Sequence, residues 1–85
     1  MSKKNPLFTY MDDAIIRNRL ASILKLYRRL GTVQKEELKV YFQKLSMSYA
    51  ERSNKAQKAG QTARAWEYEK LRGRVAKLLY LIEGQ

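Results

Sequence analysis

Eighty-five residues with no cysteine and no histidine make one small domain, without a disulfide framework, thiolate or imidazole chemistry, or soft metal ligands. Eighteen Lys and Arg against eight Asp and Glu leave a formal charge of +10 at pH 7. Such an excess points to a polyanionic partner: nucleic acid first, an acidic protein second, an anionic membrane surface third. Hydrophobic residues form 45% of the chain, too many for a disordered tail, yet no apolar run approaches the ~20 residues that span a bilayer. With no signal-peptide pattern and no cysteine, a soluble cytoplasmic protein is the expectation.

Residues 1–9 carry Lys3, Lys4 and the only proline, Pro6, and read as a basic arm ahead of a single helical domain over 10–85. Thr9 followed three residues later by Asp12, with Asp13 beside it, marks a helix start, and Leu7 and Phe8 can fold back on that turn as a staple. A first helix is predicted over 10–30. Ile16, Leu20, Ile23, Leu24, Tyr27 and Leu30 form its apolar face, flanked by Ile15 and Leu26. Arg17, Asn18, Lys25, Arg28 and Arg29 lie opposite, and Gly31 supplies a left-handed residue to close the helix. A minor alternative places a strand over 7–11, as in ribbon-helix-helix proteins.

The second helix is predicted from Thr32, its cap, to Gly60, with Glu36 and Glu37 at the positive end of its dipole. Leu38, Tyr41, Phe42, Leu45, Tyr49, Arg52, Ala56 and Ala59 share one face. Bulky and aromatic as far as Tyr49, that face then turns small at Ser53, Ala56 and Ala59. At 1.5 Å per residue this helix is about 40 Å long. The first helix, laid antiparallel on it, reaches only to about Arg52. A third helix starts at Gln61 or Thr62 and runs to Glu83, with Tyr68, Leu71, Val75, Leu78, Leu79 and Ile82 as its apolar stripe. Gly73 lies opposite that stripe. The expected fold is all-α: an antiparallel three-helix bundle, up-down-up, with a protruding hairpin of helices two and three.

Catalysis finds little support. Carboxylate pairs occur at Asp12/Asp13, Glu36/Glu37 and Glu67/Glu69, but the first two suit helix starts. The third diverges around its helix. No glycine-rich phosphate loop or nucleophile elbow appears, so the expectation is a protein that is no enzyme and needs neither cofactor nor metal.

Binding surfaces are easier to find. Trp66, Lys70, Gly73, Lys77 and Tyr80 share the outer face of the third helix with Arg74 beside them, aromatics interleaved with lysines as base stacking and phosphate neutralisation require. The plainer alternative is that Trp66 lies across the hairpin tip and Tyr80 covers the arm. Arg52, Lys55, Lys58 and Arg64 surround the Gly60 turn as a basic tip, although Arg52 falls on the core face and can snorkel from it. Arg17, Lys25, Arg28 and Arg29 make the back of the first helix basic. Val40 and Met47, seven residues apart on the polar side of the second helix, suggest a helical partner or a homodimer.

These features predict a small basic nucleic-acid-binding accessory protein that contacts the phosphate backbone of DNA or RNA with little sequence specificity, within a larger nucleoprotein complex. The competing reading is a small adaptor or inhibitor, of the phage or plasmid regulator type, docking on an acidic protein. A membrane-surface role is disfavoured because the bundle itself consumes the apolar faces.

Overall fold

A computed structural model describes residues 5–84 of the chain. Within them the backbone forms four helices and no strand: α1 (Pro6–Ile16), α2 (Leu20–Arg28), α3 (Thr32–Lys58) and α4 (Thr62–Glu83). Lys3 and Lys4 of the expected arm lie outside the described residues. The rest of that arm is helical from Pro6 onward, and the strand considered over 7–11 is absent. Asn5 caps α1 by accepting a hydrogen bond from the Leu7 N–H at 3.0 Å. Pro6, at the first helical position, has no N–H to leave unsatisfied there.

The largest departure from the sequence pattern is the break in the expected first helix. Asn18 adopts φ 58°, a left-handed conformation that asparagine tolerates better than most side chains. The Asn18 N–H reaches the Ile15 carbonyl at 3.0 Å and the Arg19 N–H reaches the Ala14 carbonyl at 2.8 Å. That is a Schellman closure. The chain turns there, so Met11, Ala14 and Ile15 enter the core while Ile16 is left 60% exposed. Gly31, expected to be left-handed, instead has extended backbone at φ −73° and ψ 167° and precedes α3, so Thr32 is the first helical residue rather than the cap. The positive φ belongs to Gly60, at 76°. There the Gln61 and Gly60 N–H groups bond to the Ala56 and Gln57 carbonyls, repeating the Schellman pattern between α3 and α4.

The α3–α4 pair is the most extensive packing in the molecule. Tyr49 stacks on Tyr68 with ring centroids 6.3 Å apart, and farther out the Ser53 hydroxyl donates to the Ala65 carbonyl at 3.2 Å. As one number rises while the other falls, the two helices run antiparallel. Ser53, Ala56 and Ala65 are buried, and their small side chains allow close approach. Ala59, expected on this face, is exposed because the closing turn has already begun.

At the other end, Met11, Ile15, Ile23, Tyr27, Leu38, Phe42, Val75, Leu78 and Ile82 form the core. The expected first helix does not lie along the second. Its two halves, α1 and α2, pack against each other and against α4, and reach α3 through long side chains. Phe8 stacks face to face on Tyr41 at 4.2 Å, and the Tyr41 hydroxyl donates to the Asp12 carboxylate. Burial first, then that hydrogen bond, holds the Tyr41 proton well above the usual phenol range. Lys35 lies 5.4 Å from the centre of the Tyr27 ring. The result is a flattened body, 43 × 35 × 19 Å. Among the described residues no helix is long and apolar enough to cross a membrane.

Two substitutions test this packing by urea unfolding. Leu78, fully buried, should cost about 2–5 kcal/mol when changed to alanine. A Cβ added at Gly73 would meet no atom within 4 Å, so Gly73→Ala should raise stability by up to about 1 kcal/mol.

Candidate nucleic-acid interface

The residues expected to bind nucleic acid fall into three groups. The first surrounds the α3–α4 turn. Lys55, Lys58 and Arg64 are exposed, and none has an acidic partner among the described residues. Arg52, assigned by periodicity to the core face, is exposed. Its guanidinium carbon sits 5.9 Å and 6.0 Å from the centres of the Tyr49 and Tyr68 rings, so it covers that aromatic pair from outside.

The second group is the outer row of α4. Trp66 is 65% exposed and Tyr80 78%, so both rings are mostly open to solvent; residues 1–4 of the arm, which Tyr80 was the alternative candidate to cover, lie outside the described residues. Lys70, Gly73 and Lys77 between them are exposed. Arg74, placed beside this row by its spacing, has another task. Its Nη1 donates to the Ile15 and Ile16 carbonyls at 2.9 Å and 3.1 Å. Those are carbonyls of the last turn of α1; the Ile15 carbonyl also accepts from the Asn18 N–H, and a cation suits that end of the helix dipole. Arg74 is thus a clamp between α4 and α1. Ile16, Glu67, Lys70, Leu71 and Arg74 line a shallow pocket beside the row.

The third group is on α2 and its C-cap, Arg29. Lys25, Arg28 and Arg29 are exposed, and Lys25 and Arg29 line a second shallow pocket with Tyr10, Ser22 and Leu26. Tyr10, 44% exposed, was not among the candidates read from sequence. No linear spacing connects it to Lys25, because the Asn18 turn is what brings α1 and α2 together. Arg17, by contrast, bonds to Asp13 at 3.1 Å one helical turn away, and the break at Asn18 separates it from the α2 group.

On α3, Val40 and Met47 are exposed, and Val33, seven residues before Val40, is 71% exposed and extends their row. The same seven-residue spacing was available from the sequence. Val40 also borders an open groove with Phe8, Tyr41, Lys44, Glu36 and Glu37. No group of three or more metal-ligating side chains occurs among the described residues.

The Arg74 clamp is testable by thermal melting. Arg74→Ala should lower stability by roughly 1–3 kcal/mol through loss of charge-assisted hydrogen bonds, whereas Lys70→Ala, one turn away and exposed, should change it by no more than about 0.5 kcal/mol.

No protein-family model, curated protein or solved structure matches this chain.

Proposed function

We propose that the chain is a small nucleic-acid-binding accessory protein, acting in the cytoplasm, that holds the phosphate backbone with little sequence readout as a subunit of a larger nucleoprotein complex. The observation that supports this most is how few of the described cations are compensated by acids. Ion pairs among the described residues engage Arg17, Lys39 and Arg72. Lys25, Arg29, Lys55, Lys58, Arg64, Lys70 and Lys77 have no acidic partner there. Each unpaired cation adds to the self-repulsion of a chain with a net charge of +10, and phosphate groups relieve it while releasing condensed counterions.

The distribution of these cations favours backbone contacts. They occur on α2, α3 and α4, not along one recognition helix, and α3 is far longer than a helix that lies across a major groove. In this reading α3 and α4 protrude as a hairpin beyond α1 and α2 and carry Lys55, Lys58 and Arg64 to the phosphates. Arg74 is left out because its Nη1 is engaged by the Ile15 and Ile16 carbonyls, and Tyr10 joins the α2 group.

A second reading rests on the exposed row Val33, Val40 and Met47, which suits an adaptor or inhibitor docking on an acidic protein. Its sign is a complex that survives high salt.

The nucleic-acid reading is tested with the double variant Lys55→Glu, Lys58→Glu. Its melting should stay within about 0.5 kcal/mol of the parent, since both sites are on the surface. Its affinity for DNA and RNA of unrelated sequences should fall by a similar factor throughout. A variant that melts differently but binds as the parent does would place the contacts elsewhere.

A further inference from the structure

Resting on the nucleic-acid reading, we infer that the outer row of α4 is a track for an unpaired strand, with Trp66 and Tyr80 each stacking on a base and Lys70 and Lys77 meeting the phosphates between them. Both aromatic rings stand in solvent, and neither makes a ring contact or hydrogen bond with any described residue. Among the described residues no ring contact or hydrogen bond of theirs explains them. Offsets of four, seven, eleven and fourteen residues from Trp66 put Lys70, Gly73, Lys77 and Tyr80 on one line along the helix, about 21 Å from end to end at 1.5 Å per residue. Midway, Gly73 leaves the surface low, because no side chain rises there and an added Cβ would meet nothing within 4 Å. Two flat apolar posts therefore flank a shallow saddle with a cation on either side of its centre.

The chemistry of the row selects the ligand. A base in a duplex has both faces covered by its neighbours, so a ring can stack on it only by wedging open a step. An unpaired strand offers its faces freely, and every base has one, so stacking on them tolerates any sequence. At the ~3.4 Å spacing of a stacked strand the row covers roughly six nucleotides, and fewer when the strand is extended. A protein partner fits less well, because lysine is depleted at the centres of protein interfaces. A membrane surface fits less well too, since the row interleaves two aromatics with two lysines and lacks the continuous apolar face that an interfacial helix buries.

Trp66 is the single tryptophan in the chain, so the full-length protein reports on the site directly. The probes are oligo-dT, oligo-U and a DNA duplex of the same length, titrated at low salt while Trp66 emission and probe anisotropy are followed. The inference expects emission to be quenched by either single strand and scarcely by the duplex. Trp66→Ala and Tyr80→Ala should each weaken single-strand binding about ten-fold while leaving duplex binding unchanged, and Tyr80→Phe should retain the affinity. Single strands that bind without changing Trp66 emission, and bind the alanine variants equally well, would overturn the stacking track but leave phosphate-backbone binding standing. Failure of all three probes to bind would overturn both.

Discussion

The close pairing of α3 with α4 is the constraint on which the rest of the molecule depends. Toward the turn it rests on small side chains, Ser53, Ala56 and Ala65, and on one hydrogen bond from the Ser53 hydroxyl to the Ala65 carbonyl. A larger residue at any of the three would separate the helices, and the Tyr49–Tyr68 stack next to them would lose its register. The Gly60 turn closes the pair with the two hydrogen bonds of a Schellman ending. Pairing α3 with α4 also sets the outward face of α4. With Val75, Leu78 and Ile82 turned into the core, helical geometry leaves Trp66, Lys70, Lys77 and Tyr80 on the opposite side.

The smaller α1 and α2 are attached differently. They share the core through Met11, Ile15, Ile23 and Tyr27, and polar and aromatic contacts fix their orientation: Arg74 on the α1 carbonyls, Asp12 and Phe8 on Tyr41. One of these, Arg74, is a residue that charge counting alone would assign to ligand binding. A basic protein needs some of its cations for its own architecture, and Arg74 shows how one is used. Lys55, Lys58 and Arg64 near the turn and Lys70 and Lys77 along α4 have no such employment among the described residues, and the proposed binding surface rests on that difference rather than on the total charge.

Much of this was readable from residue order alone. The extents of α3 and α4 follow from their uninterrupted apolar spacing and from Gly60, and the buried residues of α4 are those that the stripe Val75, Leu78 and Ile82 implies. The outward position of Trp66 and Tyr80 followed from the same periodicity. What was not readable depended on a single backbone angle. Ile16, Leu20 and Ile23 keep a helical rhythm straight across Asn18, so nothing local distinguishes a continuous helix from two helices joined by a left-handed residue. From that one turn follow the burial of Ile15 in place of Ile16, the shared pocket of Tyr10 with Lys25 and Arg29, and the position of the α1 carbonyls beside Arg74. Asn18, expected inside a helix, took the left-handed conformation expected of Gly31, while Gly31 is extended ahead of α3; both residue types accept several backbone conformations.

If outward cations without internal partners define the working surface, binding must be driven by counterion release. The most direct measurement is the affinity for a single-stranded oligonucleotide across a range of salt concentrations. A plot of log affinity against log salt should be linear with a slope of roughly −2 or steeper, the mark of three or more neutralised phosphates at about −0.7 each. An affinity that stays flat as salt rises would contradict the electrostatic reading and shift attention to the apolar row on α3.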